Sequence, residues 1–483
     1  MLLPEASRQK KPMKKVALLI GILAAQVLQA ADYCVVVSKE TAADEKWAKV
    51  VAALEKKHDA EVIQFSKSVE EVLPKLRTSF PRYACFVARP QETTKDYVKT
   101  IHRMTRRLDE DPYTDLFWGV LTGRDADNAL AIAKTSDPLV IRNSLACTEI
   151  ALDRCEKGKW FCELRKGHGV AKEKGEKAKD IKLPQDTTSR FVTELNQDKP
   201  DLFVTSGHAT ERDLQLGFRY RNGVFRCKDG SLYGADLKGK RHVVQSPNPK
   251  VYMPIGNCLM GHLDGPDSMA AAFLESAGVR QMMGYVEVTW YGYMGWGCLD
   301  YFIEQPGRYS FTEAFFANHH ALIHRLETCF PEIARSTPGK GIPGRISARP
   351  SPTGRVLGLG SNDARGLLFD RDVVAFYGDP AWSAKMADGK RNWQQSLTRE
   401  GDKYKLTITP ENGPKSYAPV NKNGVQRGYR PFVAFFANRL GKATLVSGQE
   451  LNPVITDNFI LVPNPPTRQP AQPLEIVFRA KEL

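Results

Sequence analysis

A cysteine and a histidine in the middle of the chain each come directly after a short apolar segment. Residues 201–207 lead into His208, and residues 251–257 lead into Cys258. Because ligands of open α/β sheets bind at the carboxyl ends of the strands, two neighbouring parallel strands would place these side chains at one edge. A thiolate is a strong nucleophile, and an imidazole can accept the thiol proton and later protonate a leaving amine. The pair therefore predicts a cysteine hydrolase with Cys258 as nucleophile and His208 as its base.

Turns that contain glycine stand next to both residues and bear on transition-state stabilisation. Gly207 directly precedes His208, and Gly256 lies two positions before Cys258. Such turns leave backbone N–H groups available to an oxyanion, an effect of roughly 3–4 kcal/mol per donor. We expect the amides of Ala209 and Cys258 to form this oxyanion hole. Taken alone, a cysteine is more often a small hydrophobe and a histidine at a strand end is more often a polar cap. The prediction therefore depends on the two occurring together.

Two stretches of alternating apolar and amphipathic segments must position these residues. Between residues 31 and 155, short apolar runs such as 34–37 and 83–87 alternate with helical patterns. A second stretch of the same kind covers residues 201–390. This alternation predicts an α/β fold in two subdomains, with a parallel sheet flanked by helices.

The segments between and after these stretches have a different composition. Residues 156–200 are rich in Lys and Gly and have almost no apolar periodicity, which indicates a basic loop, a linker or a processing region. After residue 390, short β-like runs are separated by Pro, Gly and Asn. This pattern predicts a small β-sandwich over residues 391–483.

The surroundings of His208 and Cys258 resemble the catalytic core of the gingipain-like cysteine peptidases, in the caspase/gingipain clan. The similarity covers roughly residues 111–382. It is carried by Ser-Gly-His-Ala at 206–209, Gly-Asn-Cys-Leu-Met-Gly-His-Leu-Asp at 256–264, the helical pattern at 268–278, Tyr-Gly-Asp-Pro at 377–380, and the strand-like segment 115–124.

The resemblance implies a caspase-like, three-layer α/β fold followed by an immunoglobulin-like β-sandwich. It also implies endopeptidase activity through a thioester intermediate, with no cofactor, and a substrate-binding pocket formed partly by Thr289 and Trp290. The chain departs from the family at Ala209, where glycine is usual, and at Asn257, where alanine is usual. The alternative is therefore a catalytically degenerate protein that acts as an extracytoplasmic binding module.

The N-terminus has the residue order of a secretory signal. Basic residues up to Lys15 precede an apolar run from Val16 to Ala25, and small residues end at Ala30. The apolar run is too short to span a bilayer. We therefore expect a signal peptide over residues 1–30, a secreted or periplasmic mature protein, and no stable membrane insertion after cleavage.

The cysteine count bears on redox chemistry. The nine cysteines are an odd number, so at least one has no intramolecular disulfide partner. Cys155 and Cys162 are close enough in sequence to form a local disulfide.

The charge and the remaining polar clusters bear on partners and metals. The formal charge of +14 is spread along the chain without zinc-finger spacing or an RNP motif, so we expect a protein or peptide substrate and no nucleic acid. Asp264, Asp267 and Glu275 could hold a structural calcium ion, although their spacing is not that of an EF-hand. His320 and His324 have metal-compatible i, i+4 spacing, but a solvated helix face is the better interpretation.

Overall fold

A twelve-stranded, mostly parallel sheet runs through the N-terminal four-fifths of the molecule. The computed structural model describes residues 32–337, 344, 346–424, 426–470 and 472–483, so the predicted signal peptide at 1–30 lies outside the described residues. The described residues form one compact unit.

The first part of the chain forms strands and helices in alternation, as the sequence predicted. Its elements are β1 (Tyr33–Ser38), α1 (Lys39–Ala43), α2 (Glu45–His58), β2 (Glu61–Phe65), α3 (Leu73–Ser79), β3 (Tyr83–Val87), α4 (Lys95–Thr105), β4 (Phe117–Leu121), α5 (Ala126–Ala133), β5 (Leu139–Ile141) and β6 (Asn143–Ala146).

The second part continues the alternation and adds a small antiparallel sheet. Its elements are β7 (Lys157–Phe161), β8 (His168–Lys172), β9 (Lys179–Lys182), α6 (Thr188–Gln197), β10 (Leu202–Thr205), β11 (Asp213–Gln215), β12 (Val224–Lys228), β13 (Ser231–Ala235), β14 (Arg241–Val243), β15 (Lys250–Pro254), α7 (Met269–Ser276), β16 (Val279–Tyr285), α8 (Tyr293–Phe302), α9 (Phe311–Cys329), α10 (Pro352–Val356), α11 (Ser361–Asp370), β17 (Val374–Tyr377) and β18 (Ala384–Met386).

The order of strands in the large sheet is β2-β1-β3-β4-β17-β16-β15-β10-β6-β7-β8-β9. Neighbouring strands are parallel except at β16/β17 and in the β7-β8-β9 meander. The reversal at β16/β17 means that β10 and β15 run opposite to β1, β3 and β4. The carboxyl ends of the two half-sheets therefore lie at opposite edges. The predicted α/β class with a mostly parallel sheet is confirmed.

Burial and ring stacking fix the two strands that lead to the candidate catalytic residues. Every residue of β10 and β15 is buried, as expected for parallel strands covered on both faces. Phe203 and Tyr252 are register partners and stack with ring centroids 5.1 Å apart. Phe273 on α7 stacks on Tyr252 at 4.1 Å. Ser268 is the N-cap of α7, and its side chain accepts a hydrogen bond from the Ala271 amide. This aromatic stack fixes the position of α7 against the paired strands β10 and β15.

The basic segment 156–200 is not a loop or linker. It contributes β7, β8, β9 and α6, and its strands extend the main sheet to its edge. Trp160 and Phe161 are buried, whereas the lysines of β9 face solvent. Charged residues on an edge strand prevent pairing with other chains, so the lysines that suggested a linker belong to a protected sheet edge.

The C-terminal residues form two antiparallel sheets, as predicted in outline. The strands are β19 (Trp393–Glu400), β20 (Lys403–Pro410), β21 (Phe432–Phe435), β22 (Thr444–Ser447), β23 (Val454–Ile455), β24 (Phe459–Val462) and β25 (Leu474–Arg479). They are arranged as β19-β20-β25-β22 and β21-β24-β23.

The second of these sheets is shared between two cores. Ile460 and Val462 pack in the C-terminal core, whereas Val433, Phe459 and Leu461 belong to the core of the large α/β region. The β-rich region is therefore packed onto the α/β region over one face of a sheet. Among the described residues, no helix is long and apolar enough to cross a membrane.

All nine cysteines lie in the described part of the chain, and all are free. The suggested disulfide between Cys155 and Cys162 is therefore not formed. Cys227 and Cys258 are half-buried, and the other seven thiols are buried.

Candidate functional site

The loops that follow β10 and β15 carry the two residues singled out by the sequence. The strands are direct parallel neighbours, with Thr205 opposite Pro254 at their ends. His208 and Cys258 therefore lie at the same carboxyl edge, on adjacent loops.

The turn that carries Cys258 has an unusual backbone. Leu259 has φ = 60°, a left-handed conformation that a non-glycine residue adopts at a cost of about 1–3 kcal/mol. The turn is attached to the end of β16, because the Gly261 amide donates to the Tyr285 carbonyl at 2.9 Å. A Cβ at Gly261 would lie 2.2 Å from the carbonyl oxygen of Gly284, so only glycine fits there. Backbone strain of this kind is typical of functional turns.

The thiol of Cys258 is half-buried and donates a hydrogen bond to the carbonyl of Thr289 at 3.4 Å. Burial raises the pKa of the Cys258 thiol above its ordinary value, and hydrogen bonding with the backbone of Thr289 and of Cys258 itself opposes this. The resting thiol is therefore protonated at neutral pH and held by a carbonyl acceptor.

The imidazole of His208 is exposed, and its ring lies against Phe218 with centroids 5.0 Å apart. In the described part of the chain no hydrogen bond joins His208 to Cys258. The structure therefore brings the two loops together and leaves the two side chains unbonded. Catalytic hydrogen bonds are commonly long or misaligned before substrate binds.

The amides predicted to bind an oxyanion are available. Ala209 has a negative φ, so alanine in place of glycine introduces no strain there. Ala209 forms an isolated antiparallel bridge with Leu214, whose flanking hydrogen bonds use the His208 carbonyl and the Thr210 amide instead. Within the described chain, the amides of Ala209 and Cys258 donate to no other residue.

The predicted substrate-binding residues lie on the segment after β16. The Thr289 carbonyl accepts the hydrogen bond from the Cys258 thiol. Trp290 is half-buried, with its ring edge-to-face against Tyr291 at 5.6 Å and beneath the guanidinium of Arg365 at 4.9 Å. Its indole N–H is buried and has no hydrogen-bond partner among the described residues.

Glu163 lies at the same edge and escaped the sequence analysis. It follows β7, is 4% exposed, and accepts hydrogen bonds at Oε1 from Thr148 and from Asn423 of the C-terminal region. Its other oxygen has no partner among the described residues, and burial raises the pKa of its carboxyl. The assignment of 156–200 as a linker concealed this residue, since no strand was expected before it.

The residues suggested for calcium do not converge, but four other aspartates do. Asp264 is ion-paired with Arg212 at 2.6 Å, and Glu275 faces Arg124 at 3.7 Å. The donor atoms of a different group all lie within 4.8 Å of one another: Asp109, Asp111, Asp115 and Asp457.

A buried histidine and a cavity lie away from the candidate catalytic residues. His320 is 1% exposed, so the prediction of a solvated helix face was wrong for this residue. A cavity of about 520 Å³ lies beside Arg106 and Asp111, and none of the predicted catalytic or substrate-binding residues lines it.

No family model, curated protein or solved structure matches the chain. The chain's own residues are therefore the basis for assigning a function.

Proposed function

We propose that the protein is a cysteine endopeptidase in which Cys258 is the nucleophile and His208 is the general base. The observation that carries the proposal is the placement of both residues on adjacent loops at one carboxyl edge, with Cys258 on a strained turn. We extend the proposal to the fold, as a caspase-like α/β region with an immunoglobulin-like β-sandwich. We also propose a secreted or periplasmic location and protein or peptide substrates.

The reaction would begin when Cys258 exchanges its hydrogen bond with the Thr289 carbonyl for one with the His208 imidazole. His208 accepts the thiol proton while Sγ attacks the carbonyl carbon of the substrate. The oxyanion accepts hydrogen bonds from the amides of Ala209 and Cys258. His208 then donates its proton to the leaving amine, and a thioester remains. Water, deprotonated by His208, hydrolyses the thioester and restores the thiol.

The raised pKa of Cys258 bears on how this reaction starts. A thiol that is protonated at rest reacts slowly unless a base comes within hydrogen-bonding distance. His208 is exposed and has no competing hydrogen-bond partner in the described chain, so its ring can reorient without breaking a bond. Substrate that fills the edge between the two loops would favour this reorientation by excluding water.

A binding module without catalysis is the second candidate, and one observation favours it. The Cys258 thiol is bonded to a carbonyl and not to His208, which is the state of a structural cysteine. In that case the same edge would bind a peptide without cleaving it, and Cys258 would react no faster than another half-buried thiol.

The test compares the purified full chain with Cys258→Ala, His208→Ala and Cys227→Ala on a diverse peptide library read by mass spectrometry. Cys227 is the matched control, because it is the other half-buried cysteine. We expect the first two variants to lose roughly a hundredfold or more of the cleavage rate, and Cys227→Ala to retain it. Equal cleavage by wild type and Cys258→Ala would contradict the proposal. Binding of library peptides without cleavage would favour the second candidate.

A further inference from the structure

The side chain of Asn257 is fully buried between the two loops of the candidate site. Its Oδ1 accepts a hydrogen bond from the Thr205 hydroxyl at 2.7 Å, and its Nδ2 donates to the Gly207 carbonyl at 2.8 Å. The carbonyl of Gly207 can only accept, so the amide orientation is determined by its partners. The Thr205 hydroxyl donates its single proton to Asn257. It must therefore accept a hydrogen bond from the Tyr252 hydroxyl, 2.9 Å away.

These bonds connect the residues next to the proposed catalytic pair. Asn257 directly precedes Cys258, and Gly207 directly precedes His208. The hydrogen bond from Asn257 to Gly207 therefore spans the gap between the two loops, one residue away from each reactive side chain. A change in this bond would move the His208 loop relative to the Cys258 loop.

The backbones of the two loops approach closely at the same point. A Cβ at Gly256 would lie 2.6 Å from the hydroxyl oxygen of Ser206. Gly207 has φ = 133°, a conformation that favours glycine. The Asn257 side chain fills the space between these loops with both polar ends satisfied. A smaller apolar residue would leave the Gly207 carbonyl buried without a partner and would remove the acceptor of the Thr205 hydroxyl proton.

We propose that Asn257 is a positioning residue that sets the place of the His208 imidazole relative to the Cys258 thiol. The inference rests on the proposed function, since it assigns Asn257 a role in the same site. The departure from the resembled family at this position is thus a specific contact that joins the two catalytic loops.

The experiment measures the rate of Cys258 alkylation by iodoacetamide against pH in the full chain, with mass-spectrometric mapping. No peptide substrate is needed. The variants are Asn257→Ala, Thr205→Val, His208→Ala and the double variant Asn257→Ala/His208→Ala. At pH 6.5 we expect Asn257→Ala to slow alkylation by about tenfold, towards the rate of His208→Ala. The double variant should react at the rate of His208→Ala alone, because the effect of Asn257 passes through His208.

Thr205→Val and Tyr252→Phe separate positioning from general destabilisation. Thr205→Val keeps the side-chain shape and removes the bond to Asn257 Oδ1 together with the bond from the Tyr252 hydroxyl, so it tests the inference if Asn257→Ala does not fold. We expect Thr205→Val to slow the alkylation of Cys258 at pH 6.5, as Asn257→Ala does, but by a smaller factor. Tyr252→Phe is the control, because it removes a bond to Thr205 and leaves both Asn257 bonds intact. Its pH profile should match wild type.

Three results would overturn the inference. The first is a wild-type pH profile of Cys258 alkylation in both Asn257→Ala and Thr205→Val. The second is that Asn257→Ala slows alkylation by the same factor whether His208 is present or replaced by Ala. Either of these results leaves the proposed function standing. The third is a wild-type rate that does not depend on His208, which contradicts the proposed function and this inference together.

Discussion

At the scale of single residues, Gly295 packs tightly against the backbone of the segment that leads into the candidate nucleophile. A Cβ at Gly295 would lie 1.8 Å from the carbonyl oxygen of Ile255, in the segment that leads into Cys258. We expect Gly295→Ala to push the start of α8 away from this segment, to lower the free energy of unfolding by about 1–3 kcal/mol, and to change the alkylation rate of Cys258. Urea unfolding and thiol mapping measure both effects. Gly441→Ala is the control, because its Cβ would make only ordinary contacts, at 3.5 Å or more. Equal stability of the two variants would contradict the expectation.

The sequence predicted which residues stand at the edge but not how they are bonded. His208 and Cys258 could be located because an apolar segment precedes each of them. The partners of Asn257 lie 52 and 50 residues away in the chain, and no periodic pattern reports such a contact. The same holds for the bond from Cys258 to Thr289, which depends on how the segment after β16 turns. Side-chain contacts between distant loops are set by tertiary packing.

At the scale of elements, the sequence analysis failed where one face of a strand is strongly charged. In β7, buried Gly158, Trp160 and Phe161 occur among lysines, and the apolar signal is too short to stand out. The charges continue to the sheet edge at β9, where exposed Lys179 and Lys182 hinder pairing with other chains. In contrast, β10 and β15 are buried on both faces and read as continuous apolar runs. Fully buried strands were therefore predicted, and the charged edge was not.

An acidic cluster forms where the segment between α4 and β4 meets the turn between β23 and β24, and it predicts a calcium site. Its members are Asp109, Asp111, Asp115 and Asp457. Asp115 is 2% exposed and its Oδ2 has no partner among the described residues. Burial, followed by the charges of Asp109, Asp111 and Asp457, raises the pKa of Asp115 to about 9. A calcium ion takes carboxylate ligands and would remove this repulsion. We expect millimolar CaCl₂ to raise Tm and EDTA to lower it.

The calcium effect should depend on this cluster alone. Calcium at a hundred times its Kd would stabilise the fold by about 2.7 kcal/mol. Asp115→Asn should abolish the calcium-dependent shift in Tm. Asp264→Asn is the control, because Asp264 is paired with Arg212 outside the cluster, and it should keep the shift. A wild-type Tm that is the same in CaCl₂ and EDTA would rule out a stabilising ion at these aspartates.

At the scale of the whole molecule, the sequence predicted the fold class and the order of its parts, but not how the parts join. The reversal between β16 and β17 turns two half-sheets into one sheet, and it depends on a strand contributed late in the chain. The C-terminal region also packs more closely than an appended domain would. Arg427 reaches Asp300 and Glu304 on and just after α8 in a buried ion-pair network. Charged residues of this kind look exposed in sequence, and only the folded chain shows their partners.

The junction between α9 and the C-terminal sheets also makes stability depend on pH. His320 on α9 stacks on Phe459 of β24, with ring centroids 4.2 Å apart, and its Nδ1 has no partner among the described residues. Burial lowers the pKa of His320 to about 3, whereas an unfolded histidine titrates near 6.5. The unfolded chain therefore binds the proton first as pH falls. Stability from this group is complete above about pH 6.5 and is lost progressively towards pH 3.

Replacement of this histidine isolates its contribution from those of other buried groups. Between pH 7.5 and pH 5, His320 should account for a loss of about 2 kcal/mol in the free energy of unfolding. We expect His320→Leu to lose about 2 kcal/mol less than wild type over the same interval, whatever its stability at pH 7.5. Urea denaturation of both proteins at the two pH values measures the difference. Equal losses would mean that His320 takes up its proton in the folded state, through an opening between α9 and the β24 sheet.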